Sequence, residues 1–148
     1  MSSEPTRLFT LEEANATLPL VRAITQDLAT LSFDVFERQR QLHRVMAGRD
    51  VNDNSPYSEE LVQVQRDLDE QTSRLEEYME ELKQLGVEPR NGPGSMIDTV
   101  DFPSQRNGHT VYLCWQLGED EISHWHDVEA GFAGRQQLFA GATTEEES

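Results

Sequence analysis

The chain has a single cysteine, Cys114, in 148 residues. An intrachain disulfide is therefore excluded, and with it the small disulfide-stapled secreted folds. Basic residues are scarce too: 12 Lys and Arg stand against 28 Asp and Glu, a formal charge of −16. That balance speaks against nucleic acid and against an anionic membrane surface as partners. No apolar run approaches the roughly 20 residues that span a bilayer. Met1-Ser2-Ser3-Glu4-Pro5 offers no basic segment leading into an apolar one. The expectation is a protein of a reducing cytoplasm. Hydrophobic content is only 36%, which suits elongated helices with a small packed end better than a large globular core. Metal-site and phosphate-loop signatures are missing as well: there is no Cys-x-x-Cys and no His-Glu-x-x-His.

What is present is periodicity. Thr10-Leu11-Glu12-Glu13 has the form of a capping box, in which Thr10 and Glu13 satisfy each other's free amides. Beyond it Ala14, Val21, Ile24, Leu28, Leu31, Val35, Leu42 and Val45 recur at three, four or seven. This spacing predicts an amphipathic helix over 10–47. Pro19 predicts a kink or break near Asn15–Leu18. Turn formers fill a connecting loop, 48–57. Leu61, Val64, Leu68, Leu75, Tyr78, Leu82 and Leu85 predict a second helix over 58–86, ended by Gly86 and Pro89. Two such seams joined by a short linker pack as an antiparallel, coiled-coil-like hairpin.

After Asn91-Gly92-Pro93-Gly94 the period drops to two. Strands are expected around Val100–Phe102, Thr110–Leu117 and Ile122–Val128, joined at Asn107-Gly108 and about Glu119-Asp120. The fold class is thus α+β: a single domain in which a long helical hairpin meets a three-stranded antiparallel meander (98–128) at one end. A docking loop follows (129–139), and 140–148 reads as a disordered acidic tail.

The turns imply a register. Asp101 faces Cys114 across the first. Trp115 faces His124, and Cys114 faces Trp125, across the second. One sheet face then carries Val100, Phe102, Val111, Leu113, Trp115, Leu117, Ile122, His124 and His126. The other carries Asp101, Tyr112, Cys114, Gln116, Trp125 and Asp127. A slip of one residue at either turn exchanges the sets.

Three candidate chemistries follow. His124-x-His126 on a strand aims two imidazoles the same way, about 6–7 Å apart. With an oxygen from Glu129 or Asp127 they could ligate zinc or another divalent metal. The ordinary alternative is two amphipathic side chains at a sheet margin, hydrogen-bonded to their surroundings. Asp101, Tyr112, Cys114 and Trp125, with Arg135 after Gly131-Phe132-Ala133-Gly134, could line a small-molecule pocket. Cys114 lies mid-strand among apolar residues, where cysteine is usually a small buried hydrophobe and not a nucleophile. Arg135 is more simply the partner of a carboxylate. Finally, leftover apolar positions on the hairpin (Leu18, Leu20, Phe33, Phe36) could join two copies. The favoured expectation is a non-enzymatic, self-associating interaction module, a dimer without a cofactor. Metal binding and a small-molecule site on the sheet face are the alternatives.

Several blocks resemble a bacterial family of unknown function, domain-of-unknown-function family 2203. They are Phe9-Thr10-Leu11-Glu12-Glu13-Ala14-Asn15, Leu18-Pro19-Leu20-Val21, Val100-Asp101-Phe102-Pro103, Val111-Tyr112-Leu113-Cys114-Trp115, Leu117-Gly118-Glu119, Trp125-His126 and Gly131-Phe132-Ala133-Gly134-Arg135. In that family a Gly-Leu pair usually precedes the Val-Asp-Phe-Pro segment; here Asp98-Thr99 stands there. The resemblance implies an uncharacterised soluble bacterial protein and supplies no activity, cofactor or catalytic residue.

Overall fold

The computed structural model describes residues 7–47, 56–92 and 96–138. The expected acidic tail and most of the expected connecting loop lie outside these residues. Helix α1 runs Leu11–Ala47 and α2 Pro56–Gln84. The capping box forms: Thr10 N donates to Glu13 Oε1 and Glu13 N to Thr10 Oγ1, each at 3.0 Å. Pro19 does not break α1, which is continuous across it. α2 ends where expected. Gly86 takes φ +91°, its N–H donates to the Lys83 carbonyl, and Val87 N–H reaches back to Leu82 O. This pair of bonds is a Schellman ending, open to glycine because of its positive φ.

The helices pack antiparallel. Leu31 and Val35 of α1 cluster with Leu68 of α2, while Ala14, Leu18 and Val21 cluster with Leu82. At that second end sits the sheet. It has five strands, not three: β1 Glu88–Arg90, β2 Thr99–Arg106, β3 His109–Gln116, β4 His124–Asp127 and β5 Gln136–Gln137. All neighbours are antiparallel, in the order β1-β2-β3-β4-β5. The two added strands are short edges. β1 carries Pro89 opposite Val100, a residue that an edge strand tolerates and an interior strand does not. The sheet's inner face supplies Val100, Phe102, Leu113 and Trp115 to the core beside the helices. Phe9 docks edge-on against Phe102 at 5.2 Å between centroids.

The first hairpin has the expected register, with Asp101 opposite Cys114 and Phe102 opposite Leu113. Asn107 and Gly108 both take positive φ, +54° and +82°, as a type I′ turn demands. The second hairpin corrects the expectation by one residue: Cys114 faces His124, Leu113 faces Trp125, and Tyr112 faces His126. The connection is not a tight turn at Glu119-Asp120 but the longer segment 117–123 between β3 and β4. Several bonds fix it. Trp115 Nε1 donates to Glu119 O, Gln116 N to Glu119 Oε1, and Ile122 N to Asn15 Oδ1 of α1. The last of these holds Ile122 in the core, fully buried, at a point where no strand has yet begun. Because side chains alternate along a strand, the shift moves His124 and His126 to the outer face and Trp125 to the inner one. Trp125 there packs on the core margin.

Candidate metal centre

Three strands deliver one polar side chain each to a single point on the outer face. Asp101 of β2 and Cys114 of β3 are directly paired. His126 of β4 is paired with Tyr112, two residues along from Cys114, so its ring leans over the same spot. A carboxylate oxygen, the thiol sulfur and an imidazole nitrogen lie within 4.8 Å of one another. The three residues are 2%, 0% and 2% exposed.

The hydrogen bonds around them orient each group. His126 Nδ1 lies 2.8 Å from the Asp127 carbonyl oxygen, which can only accept. Nδ1 therefore carries the proton, and Nε2 faces Asp101 Oδ1 at 3.1 Å. Arg90 of β1 donates from Nε to Asp101 Oδ2 at 3.0 Å and from Nη2 to Glu88. Burial opposes the Arg90 charge, but the bond to Asp101 and the charges of Asp101 and Glu88 outweigh it and raise its pKa. Burial, reinforced by the Asp101 carboxylate, pushes the Cys114 thiol up to about 12. A free Cys114 is thus a neutral thiol and a poor nucleophile. Tyr112 is raised by burial and then by Glu88, whose carboxylate its hydroxyl approaches at 3.3 Å.

Beside the trio lies a cavity of about 260 Å³. Asp101, Cys114 and His126 line it together with Arg90, Asn91 and Thr99 on one flank. Glu129, Gly131 and Phe132, from the segment after β4, line it as well. Asn91 and Glu129 are exposed, so the cavity reaches the surface.

The other candidates are placed as follows. His124 shares the outer face but turns toward Glu119, its Nδ1 3.8 Å from Glu119 Oε2. Burial holds it below the usual imidazole value; Arg135 pushes the same way and Glu119 opposes. Asp127 stands opposite Val111 with an exposed side chain, and only its carbonyl touches the trio. Arg135 pairs with Glu119 through Nη2 at 2.7 and 2.8 Å, and also donates to the Cys114 carbonyl. Trp125 lies on the opposite face, with the Arg106 guanidinium 4.6 Å from its ring centroid. Sequence reasoning placed Asp101 with Cys114 but put His126 across the sheet from them. It did not single out Arg90. The signal for the shifted register was Ile122, which the core requires and a tight turn cannot place there.

The chain belongs to the family whose blocks it resembles: residues 7–138 match the uncharacterized conserved protein family DUF2203. No curated protein and no solved structure matches it. Among the described residues no helix is long and apolar enough to cross a membrane.

Proposed function

We propose that this protein binds a divalent metal ion, zinc before others, through Asp101, Cys114 and His126. The observation that carries the reading is the convergence of three buried ligand atoms of different chemistry within 4.8 Å. On a tetrahedral zinc, ligand atoms bound at about 2.0–2.3 Å stand roughly 3.3–3.8 Å apart. A small contraction of the trio therefore completes the geometry. A thiolate among the donors favours zinc over magnesium or calcium. The surrounding bonds are those a ligand set needs. His126 Nδ1 is held by a carbonyl, leaving Nε2 for the ion, and Arg90 anchors the Asp101 oxygen that faces away. With Nδ1 protonated, a lone pair on Nε2 and a carboxylate oxygen face each other at 3.1 Å. A metal ion or a shared proton between them would join the two.

The self-association reading has weaker support. Of the four positions expected to join two copies, Leu18 is buried and Phe36 half-buried; the exposed apolar residues of α1 are Leu20, Phe33 and Met46. Spacings of 13 residues turn successive members of that set about 140° apart around the helix at 100° per residue. They form no single stripe, and exposed apolar residues standing singly are ordinary.

The test is zinc titration of untagged protein against a chromophoric chelator. One equivalent should bind, and Cys114→Ser should weaken binding at least about 100-fold while leaving the circular dichroism unchanged. Substoichiometric binding that Cys114→Ser does not alter would leave the proton as the bridging cation and end the proposal.

A further inference from the structure

We infer that the cavity beside the trio gives a small uncharged ligand, donating an oxygen or nitrogen lone pair, access to the metal, and that it turns away carboxylates and phosphates. The inference rests on the metal reading. Three protein ligands leave a fourth tetrahedral position open, the arrangement of zinc sites that exchange ligands and not of closed structural ones. Asp101, Cys114 and His126 all line the cavity, so a fourth ligand would reach a bound ion from it. Its volume of about 260 Å³ falls below the roughly 300–1,000 Å³ of sites for drug-sized ligands. The occupant is therefore small.

Charge decides its class. A divalent ion is balanced by the Asp101 carboxylate and the Cys114 thiolate. Arg90 brings one positive charge, but its guanidinium is already bonded to Asp101 and to Glu88, 2.6 Å away. Glu88 offsets it. What remains along the cavity wall is Glu129, a carboxylate at the rim, in a molecule whose formal charge is −16. An entering anion would lose its hydration and, among the described residues, meet on the wall only the Arg90 cation, whose charge Glu88 offsets. A neutral donor carries no such cost. Phe132 adds an apolar wall, steadied by the Arg135 guanidinium 4.6 Å from its ring centroid.

Acetamide and acetate are matched in shape and differ in charge, so they separate the two classes. Cobalt(II) replaces zinc, and its visible absorption reports the coordination sphere. The thiolate-to-cobalt band in the near ultraviolet shows that the metal stays bound throughout. Acetamide should perturb the visible bands at a concentration at least about tenfold lower than acetate, with inorganic phosphate weaker still. In Glu129→Gln the gap should narrow. Acetate or phosphate acting at lower concentration than acetamide would overturn the inference. So would a spectrum blind to all three combined with a tenfold or greater loss of cobalt affinity in Glu129→Gln, because Glu129 itself would then fill the fourth position. If no thiolate-to-cobalt band appears at all, the metal reading fails first, and this inference with it.

Discussion

Asp101 gathers the polar atoms of the outer sheet face. Its carboxylate accepts from Arg90 Nε and faces His126 Nε2, and the Cys114 sulfur lies within 4.8 Å of a carboxylate oxygen. A buried carboxylate left without such partners would be costly, so the network is coherent whether a proton or a metal ion joins it. Cys114 distinguishes the states. In the metal-free protein its thiol is raised from an ordinary value near 9 to about 12. The fold therefore favours the protonated form. That stabilisation is fully present below pH 9 and is lost as pH rises toward 12. Urea denaturation of metal-free protein at pH 8 and pH 11 should show a steeper alkaline loss of stability for wild type than for Cys114→Ser. Tyr112, also raised, titrates in both and cancels in the comparison. Equal losses in the two proteins would mean that Cys114 is already ionised or open to water. A disulfide reagent at pH 8 supplies the kinetic counterpart: modification should be slow in the native protein and fast in urea.

At the scale of elements, what could be read in advance was whatever local chemistry decides. Thr10 and Glu13 lie three apart with an apolar seam behind them, and the capping box follows. Thr10→Ala should cost about 0.5–2 kcal/mol in chemical denaturation, while a loss near zero would show that docking of Phe9 alone sets the helix start. Asn107-Gly108 admits the positive φ that a two-residue hairpin requires, so the β2–β3 register was legible too. The β3–β4 connection was not, because its length is set by tertiary contacts: the amide of Ile122 on Asn15, and the indole of Trp115 on the Glu119 carbonyl. β1 and β5, of 3 and 2 residues, are too short to show a period and exist only because a neighbouring strand pairs with them. The shifted register also sets the weight of the two tryptophans. Trp115 is fully buried, and Trp115→Ala should cost roughly 3–5 kcal/mol. Trp125, half-buried on the same inner face, should cost clearly less. Equal costs in denaturation would mean that something further covers Trp125.

Taken whole, the molecule is a strongly acidic hairpin carrying a small sheet, with the candidate metal centre on the face of that sheet turned away from the helices. A formal charge of −16 repels itself in the compact state and draws cations of every kind to the surface. Two cation effects should therefore coexist and be separable. Sodium chloride screens the self-repulsion. Since the Debye length shrinks from about 30 Å at 0.01 M to about 3 Å at 1 M, the melting temperature should climb gradually with salt and show no stoichiometric end point. A gain of about 1 kcal/mol would raise it by roughly 2–4 °C in a domain of this size. Magnesium matched for ionic strength should do little more than sodium, because it dehydrates reluctantly and a thiolate does not suit it. Zinc should add a further rise in melting temperature that saturates near one equivalent. It should appear on top of the salt effect and vanish in Cys114→Ser, because only binding to the folded trio contributes it. Thermal melts across this grid of salts and the one variant measure both. If the zinc increment tracks ionic strength, or survives intact in Cys114→Ser, then zinc is acting on the acidic surface and the buried trio is closed by a proton.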